Sequence, residues 1–371
     1  MATLATLLKV IGRQTRRITN GVLLLLDRPR ELPHNVSLLT RHLWNVHLWR
    51  RGIVVIERSG GIGDLTCLLA SIPGLRDRHP RSWLVVICPP GCRRLAESSG
   101  LFDAGTEAGS FFHRFASKTC LPSRHYCPLL PDEKYPSEPQ ALHLMDEFAR
   151  ALGVTPDPSS VRFRAPRRVR RRMAQRLQEI NPDQRQVIVF HPGPTWPVRE
   201  WPSRRWEKLA QLISANTSAI IIKIGTDLDS MGRTRLYPAV PKTIDWTNKL
   251  DIIETVALLE RAGAFVGIDS GPLHIAEVLG VPSVGLFGPI DGKLRAHPKA
   301  RVTVVTSGDL VCLGCHHRPA GPLHWRTGCP HDIACMRGIT PERAFAALAS
   351  YMGIPVPRAE TQIGSAVRSV S

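Results

Sequence analysis

Two doubly wound α/β units with parallel sheets, facing each other across a central cleft, are the fold predicted for this chain of 371 residues. Three observations lead there. The length exceeds one ordinary domain and fits two of about 150–180 residues. Short β-branched runs alternate with helix-compatible segments in both halves, the pattern of βα units. The stretch Val266–Gly280, V-G-I-D-S-G-P-L-H-I-A-E-V-L-G, reads as strand, tight turn and helix N-terminus. Ser270 suits an N-cap and Pro272 the first helical position, so the first-turn amides would point above the strand with the positive end of the helix dipole. Such a junction suits a phosphate, and it is equally the form of an ordinary strand-to-helix connection.

In the first half, Ile53–Ile56 is the predicted first buried strand. It leads into Arg58-Ser59-Gly60-Gly61-Ile62-Gly63-Asp64 and one helix over Leu65–Arg78. The loop lacks the third glycine and the later ribose-binding acid of the dinucleotide fingerprint. Gly60, Gly61 and Gly63 would let the backbone approach a ligand, and Asp64 stands at the loop mouth, where a helix-capping Asp is the plain alternative. Trp83–Cys88 is a second strand, Cys92–Ser98 a short helix, Gly105–Pro139 a loop-rich stretch, and Ala141–Leu152 a helix stopped by Gly153. An Arg-rich segment with Pro156, Pro158 and Pro166 then links the halves. The expected divisions are a basic leader over 1–51, a first unit over 52–160, a linker over 161–185, a second unit over 186–357 and a disordered tail over 358–371.

The second half restarts with a strand at Val187–Phe190, which runs into His191-Pro192-Gly193-Pro194-Thr195-Trp196-Pro197-Val198-Arg199-Glu200-Trp201-Pro202. Ser203 is expected to cap a helix over Arg204–Ala215, and Ala219–Ile224 is a strand ending in Gly225-Thr226-Asp227. Asp251 and Glu254 have the spacing of a capping box for a helix reaching Arg261. After the central stretch, Ser283–Phe287 is another strand, ending in Gly288-Pro289, and Thr340-Pro341-Glu342 opens a helix through Leu348.

The composition is that of a soluble globular protein, 43% hydrophobic and 22% charged, but the net charge is +18. That charge is local: residues 1–51 carry nine Lys/Arg against Asp27 and Glu31, and Arg162–Arg176 holds eight Arg and no acid, leaving the remainder close to neutral. The partners this favours are anionic lipid or a phosphorylated acceptor. Nucleic acid is not expected, because neither basic stretch interleaves aromatics in a binding module. A solvated helix face is the alternative for Arg162–Arg176. No run reaches the ~18 apolar residues of a membrane span, and no signal peptide is read. Leu4–Leu26 fits a basic amphipathic helix, either on a membrane surface or packed on the body.

Nine cysteines without a secretory signal point to a reducing compartment. Cys312, Cys315, Cys329 and Cys335 cluster near His316, His317, His324 and His331. Structural zinc, reduced thiols and a disulfide all stay open for them.

Four blocks stand in order: R-S-G-G-I-G-D at 58–64, H-P-G-P-T-W-P-V-R-E-W-P at 191–202, D-S-G-P-L-H at 269–274 and L-F-G-P at 286–289. Together they closely resemble glycosyltransferase family 9, the heptosyltransferases of lipopolysaccharide core assembly, over Ile53–Met352. The resemblance implies the GT-B fold, an acceptor-binding first unit and a nucleotide-sugar-binding second unit, often with a C-terminal helix returning to the first. It implies inverting transfer of a sugar, typically from ADP-heptose, to a hydroxyl of an anionic lipid-linked glycan at the cytoplasmic face of the inner membrane. Asp64 matches the general base, Thr195 a hydroxyl on the diphosphate, and Arg199 a basic position where Lys is usual. Asp269 would hold sugar hydroxyls, while Ser270, Gly271 and His274 would surround the phosphates. Asp227 lies near the acid for the ribose. For His274 a capping or packing role is the alternative. With no D-x-D, magnesium is not demanded, because Arg199 and backbone amides can offset the diphosphate charge. A non-catalytic sugar-nucleotide-binding regulator or scaffold is the competing function; it has no need of an acceptor-side base. An epimerase would need further carboxylates around the donor sugar.

Overall fold

The computed structural model describes residues 32–48, 52–58, 60–110, 112–114, 124–126, 142–193, 196–228, 234–235, 239–296, 300–317 and 328–354. Thr195, the predicted helix Leu4–Leu26, most of the stretch 105–139 and the tail from 358 lie outside them.

Helix α1 (Leu32–His42) packs on the first sheet through buried Leu38 and His42, and the His42 ring sits 5.8 Å from those of both Trp83 and Phe112. His34 Nε2 hydrogen-bonds the Gly105 carbonyl at 2.9 Å, and Arg41 donates to the Asp103 carbonyl at 2.6 Å. The end of the predicted leader is therefore part of the first unit.

Strand β1 (Ile53–Glu57) is followed by α2 (Ile62–Leu69) and α3 (Ile72–Arg78), where the sequence predicted one helix. Pro73 at the start of α3 explains the break, since it has no N–H for the Leu69 carbonyl of a continuous helix. Next come β2 (Trp83–Cys88), α4 (Arg93–Ser98), β3 (Ala104–Glu107) and β4 (Arg124–Tyr126), the last two within or beside the stretch read as loop. The four strands are parallel in the order β3-β2-β1-β4. Helix α5 (Leu144–Leu152) ends as expected at Gly153, whose φ of 65° needs no Cβ.

The expected linker contains a 14-residue helix, α6 (Arg167–Ile180), which buries Met173 and Leu177 and turns its arginines outward. The second unit comprises β5 (Val187–His191), α7 (Ser203–Asn216), β6 (Ile220–Lys223), β7 (Ile244–Asp245), α8 (Ile252–Leu259), β8 (Ala264–Ile268), α9 (Gly271–Val278), β9 (Ser283–Leu286), β10 (Val302–Val305), α10 (Ala334–Arg337) and α11 (Pro341–Met352). Its parallel strand order is β10-β9-β8-β5-β6-β7. All of β5 and β8 is buried, as expected for central strands covered on both faces.

Of three local expectations one holds and two do not. The Asp251–Glu254 capping box forms as read. Ser203 is instead the first residue of α7, with Pro202 at the N-cap. Helix α11 packs on α7 and on β8, β9 and β10, so the C-terminal helix stays with the second unit among the described residues and does not return to the first. No helix of the described residues is long and apolar enough to cross a membrane.

Candidate active site between two switch points

Each sheet changes direction once. In the second, β6 and β7 follow β5 one way while β8, β9 and β10 run the other, so the crevice opens beyond the carboxyl ends of β5 and β8. In the first, β4 pairs with β1 on the side away from β2. Ligands of doubly wound sheets sit at such points, because the flanking loops diverge there and leave a gap.

At the second switch point, β5 ends in His191, paired in register with Gly267 of β8. Asp269, just past β8, is buried, and Arg199 places Nη1 2.9 Å from its Oδ2. His274 Nε2 stands 3.6 Å from Oδ1 of the same carboxylate, and its Nδ1 is 3.2 Å from Glu277 Oε2. Burial pushes the Asp269 pKa up, but Arg199 and His274 outweigh it and hold the group below the usual carboxylate range. Burial likewise opposes charge on His274, yet Glu277 and Asp269 raise its pKa to about 10. His274 is thus a buried imidazolium with a carboxylate at each nitrogen.

These contacts differ from the roles drawn from the resemblance. Both Asp269 oxygens are engaged by cations, and both His274 nitrogens by carboxylates, so neither side chain presents a free polar group to a ligand in this arrangement. Ser270 occupies the N-cap of α9, but its hydroxyl makes no capping bond. It donates to the Ile268 carbonyl at 3.0 Å, and His191 Nδ1, 2.9 Å away, is then the donor to it. Burial lowers the His191 pKa to about 4, so this ring is neutral at pH 7. With the hydroxyl turned aside, the first-turn amides of α9 are left without a side-chain cap. Asp227, past β6, accepts from Asn248 Nδ2, and its own amide donates to Asn248 Oδ1 at 3.0 Å.

Arg199 closes a 3₁₀ turn over Pro197–Arg199 and lies 5.2 Å from the Trp196 ring centroid. Asp269 holds one edge of its guanidinium. The buried Nε has no hydrogen-bond partner among the described residues.

Across the cleft, Asp64 is not in a loop but at the third position of α2, and Gly63 lies in the same first turn. Its Oδ2 accepts the Gly61 N–H at 2.8 Å, and its Oδ1 is 3.4 Å from Arg58 Nη2. The capping role thus holds, and the side chain also remains 23% exposed. Arg58 is fully buried, with its guanidinium 4.9 Å over the Phe148 ring. Gly60 precedes this turn directly beneath the Asp64 carboxylate.

Two glycines let the units touch. A Cβ on Gly63 would stand 2.6 Å from His274 Cδ2, and one on Gly271 would stand 2.6 Å from Ile62 Cβ. The N-termini of α2 and α9 therefore meet, with Asp64 on one side and the Arg199–Asp269–His274 chain on the other. Arg58, His191, Glu277 and Arg295 belong to this assembly and were not singled out in the sequence. The signal for Arg58 and His191 was their place just after, or at the end of, a buried strand.

Cys312, Cys315, Cys329 and Cys335 are free thiols, Cys315 and Cys335 buried. Burial first, then the neighbouring Cys315, raises the Cys335 pKa to about 11, with Cys329 and Cys312 contributing. Among the described residues no three His, Cys, Asp or Glu side chains are gathered closely enough to hold a metal ion.

The model of glycosyltransferase family 9 (heptosyltransferase) matches residues 130–325. Lipopolysaccharide heptosyltransferase 1 of Pseudomonas aeruginosa is 25% identical over 142 residues, 38% of this chain and 39% of that protein. The chain thus spans about two-fifths of the length of the curated relatives it matches. Among solved structures, a family 9 glycosyltransferase from Veillonella parvula superposes with a TM-score of 0.59 at 17% identity, over 81% of this chain and 97% of that one. The ADP-heptose lipopolysaccharide heptosyltransferase II of Escherichia coli gives 0.57 at 16%, over 81% and 98%. These two likenesses show the fold, which is GT-B.

Proposed function

The chain belongs to glycosyltransferase family 9, and from that premise we propose that it is an inverting glycosyltransferase. The donor in this reading is a nucleotide sugar, ADP-heptose, and the acceptor a hydroxyl of an anionic lipid-linked oligosaccharide of the lipopolysaccharide inner-core type. One observation carries it: the first turn of α2, which holds the partly exposed carboxylate Asp64, meets the N-terminus of α9 at the contact between Gly63 and His274, and His274 is linked through Asp269 to Arg199.

The chemistry divides between the two sides. Asp64 takes the proton of the acceptor hydroxyl as its oxygen bonds the anomeric carbon, and the bond from that carbon to the diphosphate breaks on the opposite face. Negative charge then grows on the departing nucleoside diphosphate. Arg199 and the Gly271 amide at the start of α9 receive it; Pro272 has no N–H and the Leu273 amide is bonded to the Ser270 carbonyl at 3.1 Å. Asp269 positions Arg199 by holding one edge and leaving the other for phosphate. His274 keeps Asp269 ionised, so the pair acts as a rigid support rather than as direct ligands. Residues 1–31 would attach the enzyme to an anionic membrane surface.

The test is a donor panel. Purified protein is combined with ADP-heptose, UDP-sugars and GDP-sugars, following thermal shift and nucleotide release, beside Asp64→Asn and Arg199→Ala. Stabilisation by ADP-heptose, with transfer to a lipid A-core acceptor lost in Asp64→Asn but binding kept, is the expected result. Failure of every nucleotide sugar to bind would overturn the reading.

A further inference from the structure

A cavity of about 650 Å³ lies where the two units and their connection meet, lined by Arg94 and Ser98 of α4, by Ser160, Arg162 and Arg164 of the connecting segment and by Arg168 of α6. None of the residues at the two strand-end clusters lines it. From Val161 to Ala165 burial alternates, with Val161, Phe163 and Ala165 inside and Arg162 and Arg164 exposed. A period of two places both arginines on one side of an extended chain. The Arg164 amide donates to the Ser98 carbonyl at 3.2 Å, which fastens that chain to the end of α4.

The positive charge here is not cancelled by the protein. Arg94 is held by Asp251 at 2.6 Å, and Glu97, the acid on the wall, is held by Arg93 at 3.1 Å. Arg162, Arg164 and Arg168 have no ion pair among the described residues. Helix α6 adds to this. It starts after Pro166 with no side-chain cap and no acid in its first turn, and Arg167 and Arg168 occupy that turn. Cations at a helix N-terminus oppose the macrodipole, so this end of α6 conflicts with its own sequence unless an anion stands before it.

We propose that this cavity is a binding site for a phosphate-bearing anion of diphosphate size or larger. Three unpaired guanidinium groups and free first-turn amides supply donors to several phosphate oxygens at once, and the volume exceeds what one phosphate fills. Ile253 of α8 completes the wall from the second unit, and the Arg94–Asp251 pair crosses beside it. A bound anion therefore ties the two units together at their junction.

Inorganic pyrophosphate is the probe, titrated into the full-length protein by calorimetry and thermal shift at constant ionic strength. The wild type is expected to bind it saturably, and the combined Arg162→Ala, Arg164→Ala and Arg168→Ala variant to bind at least about tenfold more weakly. These side chains are exposed, and circular dichroism checks that the variant is folded. Arg199→Ala serves as the comparator, because a diphosphate could also enter the strand-end cleft. Loss of binding in Arg199→Ala with wild-type affinity in the triple variant overturns the site, whatever the outcome of the donor panel. Vesicles containing phosphatidic acid separate the sources of the phosphate. Displacement of pyrophosphate from the wild type by these vesicles, and not by phosphatidylcholine, assigns the site to a lipid headgroup; no displacement, with pyrophosphate binding lost in the triple variant, assigns it to a soluble phosphate.

Discussion

His274 fills the space that a side chain on Gly63 would need, with its Cδ2 2.6 Å from the position of that Cβ. A buried cation of the second unit thus rests on the first turn of the helix that carries Asp64. The contact sets the distance between the acceptor-side carboxylate and the donor-side strand ends, so it should be sensitive to one methyl group. Gly63→Ala is expected to cost about 1–3 kcal/mol by overpacking and to lower transfer. Chemical denaturation measures the first and an initial-rate assay the second; a variant as stable and active as the parent would show that the units are not held this closely.

Two histidines of the cleft shape stability with pH in opposite directions. His274 has a folded pKa raised to about 10 from an ordinary 6.5, so its contribution is full below pH 6.5 and is lost as pH rises toward 10. His191 is lowered to about 4, so its contribution is full above pH 6.5 and is lost as pH falls toward 4. From these two groups a stability maximum near pH 6.5 is expected. Denaturation midpoints across pH 4–10 check this, with His274→Gln flattening the alkaline limb and His191→Gln the acid limb.

Asp64→Asn keeps an oxygen for the Gly61 amide at the start of α2 while removing the proposed base. Transfer is expected to fall by about 10²–10⁴-fold, with stability changed by less than about 1 kcal/mol. Both variants lose the negative charge beside buried Arg58, but Asp64→Ala also loses the oxygen that caps the Gly61 amide, and is expected to be the less stable of the two. Equal melting temperatures for both variants would contradict this local geometry.

Truncation separates the leader into two parts. Deleting residues 1–31 is expected to leave the fold intact and to reduce sedimentation with anionic vesicles. Deleting residues 1–51 also removes Leu38 and His42 from the face of the first sheet, at a cost of about 2–5 kcal/mol for the leucine alone. Similar melting temperatures for both truncations would show that α1 contributes little.

Much of the architecture was legible in the chain because strands buried on both faces declare themselves locally. Ile53–Ile56, Trp83–Cys88, Val187–Phe190 and Ala264–Ile268 are continuous apolar runs, and each is a strand. Strands with weaker runs, β3, β4 and the two-residue β7, were missed, since pairing with a neighbour and not composition makes them strands, and the β-branched run Val302–Val305 of β10 was missed as well. The single helix read over 65–78 failed at Pro73, a breaker that periodicity alone had passed over.

For the site, the sequence by itself determined which residues stand at strand ends and helix starts: Asp64, His191, Asp269, Ser270 and Gly271 follow from where apolar runs stop. Charge pairing was decided only in the tertiary structure. Arg199 reaches Asp269 from a different strand-end turn, while His274 meets Glu277 one turn along the same helix and Asp269 just before it; burial there makes an unpaired charge too costly, so each cation takes a carboxylate. The same long-range packing put Gly63 beneath His274 and gathered Arg162, Arg164 and Arg168 around one cavity. Local sequence sets where a side chain leaves the backbone; which charge it meets depends on how the two units close.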